Sequence, residues 1–155
     1  MENLEAIGAH LQALRDIEDI KCLRARYARL VDLQDWGAWS DLLTDDFRLE
    51  SDAGIHAGRD AVVAMVSSAL TGGTTVHHVL APEIEITGPN EATGVWAMDD
   101  TVVLSGDTPF AFRGWGRYRD TYVRTPQGWR ISSSVQTRLR IEQLSAPTTQ
   151  GGNQP

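Results

Sequence analysis

The chain has 155 residues, 41% of them hydrophobic and 23% charged, with a formal net charge of −7; that composition suits one folded domain and excludes wholesale disorder. The negative charge argues against nucleic acid or an anionic membrane as partner, because both need a basic surface. Cys22 is the lone cysteine, no eighteen-residue apolar run is present, and MENLEAIGAHLQALRD lacks the basic and apolar regions of a secretory signal, so a cytoplasmic protein with no internal disulfide and no transmembrane helix is expected.

The first third reads as helical. Leu4, Ile7, Leu11 and Leu14 recur at three- and four-residue steps, which predicts a short amphipathic helix over residues 1–15. Asp16 is placed to cap a second helix, with Asp19 favouring its positive end. In that second helix Ile17, Ile20, Leu23, Tyr27, Leu30 and Val31 share one broad side, and Arg26 and Arg29 project from the other. Trp36 to Leu43 reads as a further short helix, ending before a turn at Thr44-Asp45-Asp46.

The period then changes. DFRLES alternates, GIHAGRD offers a turn, and a helix is expected from Arg59 to about Leu70, closed by Gly72-Gly73. Strands are expected over Val76–Ile86, Ala92–Leu104, Phe110–Arg124 and Gly128 to about Ile141, with turns at Pro89-Asn90 and Pro126-Gln127-Gly128. Helices first and long antiparallel strands after them make an α+β layout: helices packed against a curved, mostly antiparallel sheet with a pocket between. Residues 1–144 form the expected single domain. The tail from Ser145, SAPTTQGGNQP, has the composition of a disordered end.

Four polar side chains fall where an apolar interior is expected. Tyr27 lies on the inward stripe of the second helix. Asp32 follows five residues later, about 140° further round. His77 opens an otherwise apolar strand, and one of His77 and His78 must face outward. Asp100 ends the one-face series Trp96, Met98, Asp100. Each has an ordinary structural reading alone: a packed tyrosine, a solvated helix-end carboxylate, a strand histidine, an acid at a strand end. Four together in an apolar pocket carry a desolvation cost that argues for a task.

The segment DIEDIKCLRARYARLVD resembles the opening helix of SnoaL-like, nuclear-transport-factor-2-like proteins. HHVLAPEIEITGPNEATGVWAMDD is similar to the paired central strands of one branch of that group, which includes bile acid 7α-dehydratase, and GWRISSSVQTRLRI resembles its last strand. The resemblance spans roughly Leu4 to Ile141 and implies a cone-shaped α+β barrel. It implies catalytic roles for Tyr27, Asp32, His77 and Asp100, and a binding role for Arg138. One departure stands out: relatives carry a further histidine where this chain has Leu80. Homodimers or homotrimers are usual for the group, so a homo-oligomer is expected.

These groups suit deprotonation beside a carbonyl. Imidazole supplies a base near neutral pH, Asp32 or Asp100 is available to orient it, and the Tyr27 phenol can donate to a developing enolate. The expected protein is a cofactor-free lyase or isomerase of the dehydratase type acting on an apolar polycyclic substrate, steroid- or polyketide-like. Polyketide cyclisation, steroid isomerisation and plain ligand binding are the alternatives. Arg138, Trp96, Met98 and Trp36 are the expected substrate-binding residues. No metal is expected, since His77 and His78 point apart. Ser132-Ser133-Ser134 reads as a polar strand face; Arg117, Arg119, Arg124 and Arg130 read as solvated; His10 and His56 read as surface residues.

Overall fold

The computed structural model describes residues 2–105 and 109–145. One helix, α1 (Glu2–Asp32), runs straight through Asp16, so the two helices expected here are a single one. Nothing near Asp16 breaks the pattern: ALRDIED has neither glycine nor proline. The Asp16 side chain is not a cap. It is buried, accepting from Trp129 Nε1 at 3.2 Å and Gln12 Nε2 at 3.1 Å, and it pairs with Arg124 at 2.6 Å. Ile20, Leu23, Tyr27, Leu30 and Val31 face the core, while Leu4, Ile7, Leu11 and Leu14 are exposed.

A short helix, α2 (Trp36–Ser40), follows, capped by Asp35, whose carboxylate accepts from the Ala38 amide at 3.1 Å. It ends three residues short of Leu43. The expected turn at Thr44-Asp45-Asp46 lies instead inside β1 (Leu43–Ser51), where the pairing register shifts between Leu43 and Arg48. After β2 (Gly54–Ala57) and α3 (Arg59–Leu70) come four long strands: β3 (Thr74–Gly88), β4 (Glu91–Leu104), β5 (Phe110–Thr125) and β6 (Gly128–Gln143). They contain the four expected strands, with ends extended by at most two residues. The Gln34 side chain fastens the end of α1 to the turn after α3, donating to the Leu70 and Gly73 carbonyls at 3.1 and 2.8 Å.

The sheet has the order β2-β1-β6-β5-β4-β3 and curls without closing. Every neighbouring pair is antiparallel except β1 and β6, which run parallel. Its inner face packs on α1 and α3 around Trp39, Phe47, Trp96, Tyr122 and Ile131. This is the cone-shaped α+β fold.

A bulge in β3 sets which residues look inward. Pairing with β4 shifts between Leu80 and Glu83, and Ala81 adopts φ 42°. An extra residue reverses the alternation. Thr75, His77 and Val79 therefore face in before the bulge, and Ile84 and Ile86 face in after it. No helix among the described residues is long and apolar enough to cross a membrane. The tail expectation falls, from residue 146 on, outside the described residues.

Candidate active site

Where α1 ends, the curled sheet is no longer filled by helix side chains, and a cavity of about 360 Å³ opens between α1, α3 and strands β1 and β3 to β6. Its walls are mostly apolar, among them Val31, Met65, Val66, Val102 and Phe112. Seven polar or phenolic side chains interrupt them: Tyr27, Ser51, His77, Asp100, Tyr118, Gln136 and Arg138. A largely apolar hollow with a few convergent polar groups is the usual form of a small-molecule site.

His77 is inward and His78 outward, as strand alternation requires. His77 Nδ1 lies 2.7 Å from Asp32 Oδ1. The same carboxylate accepts from the His77 backbone N–H at 2.9 Å and the Thr75 hydroxyl at 2.8 Å. Burial pushes the Asp32 pKa up, but the hydrogen bonds from His77 and Thr75 outweigh it and hold the carboxyl below its ordinary value. An ionised carboxylate can only accept, so the shared proton sits on Nδ1. The Nε2 lone pair is then left on the other side of the ring, 3.9 Å from Asp100 Oδ2. Outside the cavity, His78 pairs with Asp99 at 2.7 Å.

Asp100 faces His77 directly across the β3–β4 register. Its carboxylate is gripped by Arg138 in a bidentate pair, both N–H···O distances 2.6 Å. Burial works to lower the Arg138 pKa, but the Asp100 carboxylate raises it above the ordinary value. Gly114 makes room for this pair: a Cβ there would collide with the Arg138 guanidinium and stand 2.7 Å from Asp100 Oδ1.

Deeper in, two phenols lie over a buried cation. Arg24 is fully buried, with its guanidinium carbon 4.2 Å from the Tyr27 ring centre and 4.0 Å from that of Tyr118. Its Nε is 3.2 Å from Asp120 Oδ2. Asp120 in turn accepts from the Ser134 hydroxyl at 2.7 Å and the Tyr122 hydroxyl at 2.8 Å, and Tyr122 accepts from Trp96 Nε1 at 2.8 Å. Burial raises the pKa of all three tyrosines.

Tyr27, His77, Asp100 and Arg138 thus converge on one cavity, and Asp32 stands directly behind His77. Trp96, Met98 and Trp36 do not line it. Trp96 and Met98 share the Asp100 face of β4, but both are buried in the core. Trp36 packs edge-on against Trp39, ring centres 6.0 Å apart. Leu80, at the position of the relatives' further histidine, is exposed and off the cavity wall. Ser134 is fully buried rather than part of a polar face. Arg124 is tied to Asp16 and lies 4.6 Å over the Trp129 ring. His56 is half-buried, with Nε2 enclosed.

Arg24, Tyr118, Asp120 and Gln136 are the site residues that sequence reading passed over. A signal existed for the first three. Arg24 sits four residues after Ile20 and three before Tyr27, on the apolar stripe. Tyr118, Asp120 and Tyr122 alternate on one strand face.

A family model described as a SnoaL-like domain matches residues 12–135. A protein from Novosphingobium aromaticivorans provisionally named a scytalone dehydratase shares the fold at a TM-score of 0.76, with 17% identity over 87% of this chain and 91% of that one. Hexachlorocyclohexane dehydrochlorinase of type 3 from Novosphingobium barchaimii has a TM-score of 0.75 and 16% identity over 88% and 94% of the two chains. An NTF2-like protein with a cystatin-like fold from Novosphingobium aromaticivorans has 26% identity over 86% and 88%, with a TM-score of 0.65.

Proposed function

This chain belongs to the SnoaL-like domain family, and we propose that it is a cofactor-free lyase of the dehydratase type, acting on an apolar polycyclic substrate that carries a leaving group beyond a carbonyl. The observation that carries the reading is the orientation of His77. Its Nδ1 is committed to Asp32 at 2.7 Å, so Nε2 is free to take a proton from a ligand in the cavity. Two of the structurally similar proteins bear names that denote loss of water and of hydrogen chloride. The resemblance of β3, β4 and β6 to the bile acid 7α-dehydratase branch favours a steroid among polycyclic substrates.

In this mechanism Nε2 removes a proton from carbon activated by the carbonyl. The electron pair moves onto the carbonyl oxygen, which accepts a hydrogen bond from the Tyr27 hydroxyl. Asp32 stabilises the imidazolium so formed. The enolate then re-forms the carbonyl and expels the hydroxyl, which takes a proton from the imidazolium and leaves as water. The products are one new double bond, one water and a neutral His77. Asp100 is held beside His77 by its bidentate pair with Arg138. No step calls for a metal or an organic cofactor.

The test is an ultraviolet progress curve with a 7-hydroxy-3-oxo-4-ene steroid, comparing wild type with His77→Ala. Loss of water extends the conjugation and moves absorbance to longer wavelength. A shift with the wild type alone is the expected result. A flat trace from folded wild-type protein overturns steroid dehydration and turns attention to cyclisation or ligand binding in the same cavity.

A further inference from the structure

The mechanism above uses the Tyr27 hydroxyl and gives no task to the cation beneath it. A guanidinium taken wholly out of water costs several kcal/mol unless it is paired. Among the described residues Arg24 has one charged partner, Asp120, and none of its three nitrogens makes a hydrogen bond of good geometry there. Buried donors left this way call for an explanation. The pairing also has a direction. Asp120 is anchored on its far side by Ser134 and Tyr122, while the flat guanidinium lies between the rings of Tyr27 and Tyr118. The pair is neutral as a whole, but its positive end meets the two phenols that line the cavity.

We propose that Arg24 is a positioning residue whose buried guanidinium makes Tyr27 and Tyr118 a joint pair of hydrogen-bond donors for the enolate or phenolate oxygen of a planar ligand. The proposal rests on the reading of Tyr27 as the oxyanion's partner and extends it to a second phenol and to the charge that drives both. On each phenol burial raises the pKa, and Arg24 is the strongest influence in the opposite direction, stronger than Asp120 on Tyr27. The Tyr118 oxygen accepts from Gln136 Nε2 at 3.2 Å, which leaves its own proton free to be donated. A cation lying over a ring withdraws charge from it.

The probe that tests this is 4-nitrophenol, whose phenolate is yellow and whose neutral form is not. It is titrated at a pH near its own pKa into wild type, Arg24→Met, Arg24→Lys, Asp120→Asn and His77→Ala. Wild type is expected to bind it as phenolate, increasing the yellow absorbance. Arg24→Met is expected to bind about ten-fold more weakly and without that increase, and Arg24→Lys to recover part of it. Asp120→Asn removes the negative end of the dipole, so it is expected to hold the phenolate at least as strongly as wild type. That opposite sign is what a merely structural ion pair would not produce. Wild type that takes up only neutral phenol overturns the proposal, as does an unchanged signal in Arg24→Met or a parallel loss in Asp120→Asn. If Arg24→Met fails to fold, Arg24→Gln carries the same expectation. Retention of the yellow signal by His77→Ala, beside loss of steroid turnover, separates the two readings. Steroid turnover that depends on His77 while the Arg24 variants still bind phenolate sinks this proposal alone.

Discussion

His77 Nδ1 and Asp32 Oδ1, 2.7 Å apart, join the end of the first helix to the edge strand of the sheet. The other carboxylate oxygen accepts from the His77 backbone N–H at 2.9 Å. One side chain therefore fixes the strand, the ring rotation and the tautomer together. Those three constraints convert a strand histidine into a base aimed at a cavity.

Asp32→Asn should separate orientation from charge. The amide keeps an acceptor for the backbone N–H but presents donors to Nδ1, favouring the tautomer with the proton on Nε2. Turnover should fall by about 10³ to 10⁴, with KM changed little. Steady-state kinetics on a competent substrate gives the answer, and a fall of less than about ten-fold would show that His77 does not need this partner.

Acid should destabilise the fold through two named carboxylates. Burial raises the Asp16 pKa, but Arg124, Trp129 and Gln12 hold it below its ordinary 3.8; His77 and Thr75 do the same for Asp32. A carboxyl with a folded pKa below its unfolded one contributes stability that is complete above the unfolded value. That contribution is lost as pH falls through 3.8 toward the folded pKa. Tm should hold steady down to about pH 5 and then decline. Asp16→Asn should lower Tm at neutral pH and flatten the acid decline; equal slopes in mutant and wild type would place the acid sensitivity elsewhere.

The β3 bulge offers a gain in stability. Ala81 adopts φ 42°, a left-handed conformation that costs a residue with a Cβ about 1–2 kcal/mol. Glycine removes that cost and gives back part of it as unfolded-chain entropy. Ala81→Gly should therefore raise Tm by a few degrees, roughly what 0.5–1 kcal/mol yields in a domain of this size. A lower Tm, read by calorimetry, would show that the bulge carries no strain at Ala81.

The pattern of the sequence was informative about faces and silent about depth. Alternation correctly puts Trp96, Met98 and Asp100 on one side of β4, yet only Asp100 reaches the cavity, while the other two are packed into the core. Depth along a strand depends on which helix turn lies above it. Asp16 reads as a cap because its true partner, Trp129, lies 113 residues away, and local spacing carries no such range. Arg24 and Asp120 were different. Both stand on inward faces by simple counting, and a charge on an apolar stripe is a visible anomaly. Their significance becomes clear only when the pair is seen facing itself across the core.

Gly114 connects the sequence to the site most sharply, because its need for no side chain comes from a residue on another strand. A Cβ at this position would collide with Arg138 and approach Asp100 Oδ1 to 2.7 Å. Backbone pairing on both sides, with Asp100 and with Ile141, leaves Gly114 little freedom to retreat. Gly114→Ala should thus push Arg138 off Asp100 rather than move the strand. Asp100 would then be a buried carboxylate without its cation. The variant should be destabilised by about 1–3 kcal/mol. Its activity should fall as well, since Asp100 would no longer be held in place opposite His77. A melting curve and steady-state kinetics measured on one preparation test both parts. Full stability with unaltered turnover would mean that the cavity has slack the packing does not reveal, and Arg138 would lose its place as the counter-ion on which Asp100 depends.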